Sequence, residues 1–163
     1  PDVDAHRLGA RPGEVLPRIL AQTGSGTARL ALVISKFDSL HQLPRVSDSR
    51  AAILANPAAH FNQDATMRRT ALAPDLAAAQ FEADSRFLDA EVRALFDRIN
   101  EESVTLVADQ AARDGRIAAV RHFAVSAVGE SPLHANQLTQ RGISPFRVLD
   151  PILWGLSAKG VEL

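Results

Sequence analysis

RLALVISKFDSL, residues 29–40, is an unbroken apolar run from Leu30 to Ile34 that stops abruptly at Ser35-Lys36-Phe37-Asp38. A continuous apolar run bounded by turn residues is the pattern of a strand covered on both faces, since helices packed above and below leave it no polar side. The expectation is a central parallel strand in an α/β sheet. Ligands of open α/β sheets sit just beyond the carboxyl ends of such strands, which is where Lys36 and Asp38 fall.

A second stretch of the same kind lies far downstream. RHFAVSAVGE, residues 121–130, has a short apolar strand, Phe123 to Val125, that breaks into Ser126-Ala127-Val128-Gly129. Between the two, Leu76 to Asn100 carries the clearest helical period in the chain: Leu88, Val92, Leu95, Phe96 and Ile99 form one apolar stripe with charged residues around it. Glu102 to Ala112 reads as a second helix, stopped near Asp114-Gly115. Upstream, Glu14 to Gln22 has helical spacing with Pro17 in its first turn, and Pro1 to Gly9 reads as a frayed end or linker. A short helix or turn is expected over Ser39 to Leu43, another over Ser49 to Leu54, and a polar loop from Glu130 to Pro145. Asp150-Pro151 opens a last helix, with Asp as N-cap and Pro at the first helical position, whose apolar residues Ile152, Leu153, Trp154 and Leu156 should dock on the sheet.

Composition bounds the function classes. The 163 residues are 46% hydrophobic and 23% charged with a formal net charge of −1, a globular balance that argues against a polyanion-binding surface. No nucleic-acid partner is expected. No apolar segment approaches the ~20 residues that cross a bilayer, so no membrane span is expected either. Without cysteine there is no disulfide framework and no thiolate metal site, and the cytoplasm is the expected compartment. The five histidines show no His-x-x-x-His or His-Glu-x-x-His spacing, so no metal site is assigned. Ser126 follows a strand as a hydrolase nucleophile would, but position 124 is Ala and the next glycine is Gly129, one residue too late for the Gly-x-Ser-x-Gly turn. No catalytic residue is assigned. Lys36 and Lys159 are the only lysines, the other 16 basic residues being arginine, which sets Lys36 apart from the surface charge around it.

SKFD and SAVG together resemble the two base-recognition motifs of P-loop GTPases of the TRAFAC class. The closing GISPFRVLDPILWGL, Gly142 to Leu156, resembles the end of bacterial double-GTPase-like domains. The resemblance implies a three-layer, Rossmann-like P-loop GTPase fold with a helical insertion over 44–118, between the last two strands. No Gly-x-x-x-x-Gly-Lys-Ser/Thr occurs, so the chain would be one partial domain, 1–163, the C-terminal half of a GTPase whose phosphate loop and Mg-binding motifs lie upstream of Pro1. The implied ligand is GTP or GDP, with Mg bound by the other half, and the implied activity of the parent is GTP hydrolysis. Asp38 would accept the guanine N1–H and 2-amino donors in a bidentate pair. Lys36 would lay its stem along the base beside Phe37, and Ser35 stands where the family has Asn or Thr. The Ala127 N–H would donate to the 6-oxo group, with Ser126 holding the loop and Val128 beside it. Read without the resemblance, Asp38 is equally a helix N-cap. The alternative reading of the whole is a degenerate GTPase-like module that binds a protein effector and hydrolyses nothing.

Overall fold

The structure, a computed structural model, describes residues 12–23, 26–41, 54, 56–63, 72–98, 102–129 and 143–157. The expected linker at 1–9, most of the helical turn at 49–54, and 130–142 of the polar loop lie outside these residues. Among the described residues the elements are α1 (Pro12–Gln22), β1 (Arg29–Ile34), α2 (Phe37–His41), a 3-10 turn (His60–Asn62), α3 (Pro74–Arg98), α4 (Glu102–Arg113), β2 (Ala119–Ala124) and α5 (Asp150–Ser157).

β1 forms where its apolar run placed it, β2 spans Ala119–Ala124 where Phe123 to Val125 was expected, and the two pair with each other in a two-stranded sheet. The pairing is parallel, because its hydrogen-bond partners climb together: Gly26 to Arg116, Ala118 to Ala28, Val125 to Ile34. This corrects the expected three-layer Rossmann-like P-loop fold to a mostly helical chain with one short parallel pair. The physical reason is visible in β1, where only Leu32 is buried while Arg29 and Val33 are exposed. A strand with one covered face is as apolar in sequence as a strand with two when its outer positions happen to be Ala and Val.

The chain divides into two compact units, Pro1–Leu30 with Leu95–Arg121, and Ala31–Ala94 with His122–Leu163. In the first, α1 packs on α4. Leu16 and Leu20 of α1 are buried, as are Val104, Ala108 and Ala111 of α4. The approach is close at Gly13, where an added Cβ would lie 2.7 Å from Ser103 Oγ. Helix α4 ends in a Schellman motif: Gly115 takes a positive φ of 69°, its N–H donates to Ala112 O, and the Arg116 N–H reaches back to Ala111 O. The Arg116 guanidinium then donates at 2.7 Å to Leu20 O, a carbonyl near the end of α1 that also accepts the Thr23 hydroxyl at 3.1 Å.

The second unit is built on the inward stripe of α3. Phe81, Leu88 and Val92 are buried there, with Phe37, Phe61, Phe123, Val125 and Trp154. Phe37 meets Phe61 edge-on at 5.4 Å between centroids, and Phe123 meets Trp154 at 5.8 Å. Helix α5 turns only part of its apolar surface inward. Trp154 is buried, whereas Ile152 and Leu156 are exposed.

Candidate functional site

The ends of β1 and β2 come together at Ser126. Its backbone exchanges two hydrogen bonds with Phe146, at 3.0 and 2.8 Å, while the Phe37 N–H donates to the neighbouring Val125 O at 3.1 Å. Its hydroxyl donates to Asp38 Oδ1 at 2.5 Å and accepts the Gly129 N–H at 2.8 Å. Both Asp38 and Ser126 are buried. So the two motifs, 88 residues apart, do meet, but the carboxylate oxygen that faces the second motif is already held by a hydroxyl. Ser35, Lys36 and Ala127 are exposed, Val128 is half-buried, and Phe37 points into the core against Phe61.

A cleft of about 380 Å³ opens beside this junction. Phe37, Leu54, Pro57 and Phe146 give it apolar walls, and Asp38, Asn62, Ser126 and Gly129 contribute polar atoms. Most of these polar atoms are turned to local work. Both amide hydrogens of Asn62 are used, on Leu54 O at 2.7 Å and Asn56 O at 2.8 Å. The Ser126 hydroxyl is fixed between the Asp38 carboxylate and the Gly129 N–H, which makes it a tie between the two strand ends. Replacing Ser126 with Ala removes a charge-assisted hydrogen bond from buried Asp38 and the acceptor of Gly129 N–H. The expected cost is ~1.5–3 kcal/mol, read as a shift in the urea midpoint with unchanged slope. A midpoint that does not move would show the junction held by its backbone pairs alone.

A second polar cluster surrounds Arg147, which is 2% exposed and has a positive φ of 52°. Every guanidinium hydrogen has an acceptor. Nε donates to Gln63 O at 2.7 Å, Nη1 to Asp84 at 2.8 Å and to Asp150 at 2.6 Å, and Nη2 to His60 O at 2.8 Å and to Asp84 at 3.3 Å. Burial pulls the Arg147 pKa down, but hydrogen bonding and charge attraction from Asp84, with Asp150 adding to both, outweigh it and hold the pKa above its ordinary value. The residue is a permanent cation that ties the 3-10 turn, α3 and the start of α5 together. Asp150, expected as an N-cap, serves this cation. Nearby, Asp89 Oδ1 accepts both the backbone N–H of His122, at 2.7 Å, and its Nδ1–H, at 2.8 Å. Glu91 accepts from Phe61 N–H and from His60 Nδ1, each at 3.1 Å. Apart from Asp150, none of these groups stood out in the sequence. The one signal was Asp84, a charge on the same side of α3 as Phe81 and Leu88, since a buried carboxylate requires a partner. No cluster of three or more His, Asp or Glu among the described residues is placed to hold a metal ion.

No family model and no solved structure matches the chain. What the fold and site define is therefore an α-rich module whose buried polar groups bind one another. One curated relative gives it a context. The chain is 35% identical over 155 residues to SaeC of Mycolicibacterium smegmatis, a protein assigned by name to ESX-1 scaffolding and assembly. The match takes in 94% of this chain and 37% of the relative, so the chain spans little more than a third of that protein's length. This overturns the identification as a TRAFAC-class P-loop GTPase, and with it the guanine-nucleotide-binding and GTP-hydrolysing function. A likeness across nearly the whole chain outweighs two four-residue motifs, SKFD and SAVG, which match often by chance.

Proposed function

We propose that the chain is a protein-binding module that acts in ESX-1 assembly. One observation carries the reading, the 35% identity that runs through 94% of the chain to a protein named for ESX-1 scaffolding and assembly. Two features of the structure support it. The polar side chains gathered at the strand ends are spent on one another, and large apolar side chains remain outside, among them Leu76, Phe87, Ile143, Leu149 and Ile152. None of the described helices is long and apolar enough to cross a membrane. The partner class is protein, and the cytoplasm is the compartment the reading assigns.

The test is crosslinking of the tagged chain in its own host, followed by identification of what is bound. Recovery of ESX-1 components, absent from a tagged protein of similar size and charge, is the expected result. A folded chain that recovers none of them would remove the reading. In the same preparation, a titration with fluorescent GDP is expected to show no saturable binding.

A further inference from the structure

The outer face of α3 is not the face of a solvated helix. Surface helices normally put charged and polar residues opposite their buried stripe. Here the exposed positions Leu76, Gln80, Ala83, Phe87, Ala90 and Ala94 follow one another at spacings of four and three, an a/d seam that is apolar apart from Gln80. Leu76 is 57% exposed and Phe87 60%. His60 stacks on one side of the Phe87 ring, at 4.8 Å, which fixes the ring in place and leaves it facing outward.

We infer that this seam is a self-association surface, on which α3 of a second copy packs antiparallel about a two-fold axis at the level of Ser85. Two independent features of the sequence point to that occupant. The first is size. About this axis Leu76 faces Ala94 of the second copy, Phe87 faces Ala83, and Gln80 faces Ala90, so that every large residue meets an alanine. Alternation of large and small across facing positions is what lets two helices approach closely without voids. The second is charge. Along one flank of the seam lie Asp75, Glu82, Arg86 and Arg93, acidic before basic, with Asp89 on the same flank held by His122 and Asp97 beyond the last seam position. Reversal brings Asp75 to Arg93 of the second copy, and Glu82 to Arg86, within about 3 Å along the axis. Glu82 and Arg86 already pair within one helix, at 2.9 Å, so the crossing forms a four-charge network. A parallel pair would do the reverse, stacking Phe87 on Phe87, leaving alanines opposite alanines and setting each charge against its like. The seam runs ~27 Å, a short interface of the weak, concentration-dependent kind. This inference does not rest on the ESX-1 reading, and the two fail separately.

The experiment is sedimentation of the purified chain between ~1 and ~100 µM, with expected passage from monomer to dimer across that range. Ala90→Glu, an exposed helical position, is expected to keep the circular dichroism and melting of the parent and to weaken the dimer at least tenfold. Geometry is tested in a chain that has no cysteine of its own. Mixing the single variants Gln80→Cys and Ala90→Cys under mild oxidant should give a disulfide between unlike chains, and neither variant alone should crosslink. A chain that stays monomeric at ~100 µM overturns the inference, as does a dimer untouched by Ala90→Glu or a crosslink of Ala90→Cys to itself. If the seam is instead the seat of another protein, the chain alone will be monomeric and the first of these results will appear.

Discussion

Replacing Arg147 with Met is expected to lower the melting temperature by about 10 °C. Loss of one partner from a buried ion pair costs ~3–5 kcal/mol, and in a chain of this size each kcal/mol moves the melt by ~2–4 °C. Asp84 and Asp150 would then sit close together in the interior without the cation they share, and two backbone carbonyls, His60 O and Gln63 O, would lose their donor. Lysine should rescue little, because a point charge with three donors cannot serve five acceptor contacts spread around a planar fork. The backbone adds to the case. An L-residue at φ 52° is disfavoured by ~1–2 kcal/mol, and the five hydrogen bonds are what hold it there. Because the Arg147 pKa is raised, its contribution is complete below the unfolded-state value and is lost only as pH rises through the still higher folded-state value. The difference between wild type and R147M should therefore not follow the titration of Arg147 anywhere near neutrality. A thermal melt by circular dichroism that shifts by less than ~2 °C would show the network to be energetically idle.

Gly129→Ala is expected to cost ~2–4 kcal/mol, and Gly115→Ala only ~1. Both glycines have positive φ, 80° and 69°, so both substitutions meet the same backbone strain. They differ in what surrounds them. A Cβ at Gly115 has nothing within 4 Å, whereas one at Gly129 would lie 2.0 Å from Ser144 O, a backbone atom that cannot rotate away. Relief requires residues 143–146 to move, which strains the Ser144 to Val128 hydrogen bond and the paired bonds between Ser126 and Phe146. The comparison isolates the clash from the dihedral, and equal midpoints for the two variants in urea would contradict it.

Periodicity made the long elements legible. The stripe through Leu88, Val92 and Leu95 gave α3, and the first apolar run gave β1 to within a residue, whereas β2 spans Ala119–Ala124 and not the expected Phe123 to Val125, because its first half carries Arg121 and His122 and no apolar run. The size of the sheet was not legible, because pairing partners leave no mark on a strand's own composition, and Leu30 to Ile34 would read alike in a sheet of two or six strands. At the site, SKFD and SAVG read as two halves of a guanine pocket, and the structure instead joins them through Asp38 and Ser126. Their contact is a hydroxyl held by a carboxylate, and four letters do not distinguish that from a nucleotide pocket. Arg147 was invisible for another reason. Its acceptors lie as far as 87 residues away, and sixteen arginines give no ground for choosing one. The outer seam of α3 was hidden by the abundance of alanine, which reads as helix propensity until the burial of the opposite face is known.

The parallel pairing of β1 and β2 has a consequence in time. Roughly 85 residues separate the two strands, and a parallel pair cannot close until the second has been made. At a synthesis rate of ~5–20 residues per second, the first strand waits roughly 4–17 s after it is made with its hydrogen-bonding edge open. Whatever guards nascent chains in the cell must shield RLALVI through that interval, and a slowed ribosome anywhere in the long connection lengthens it.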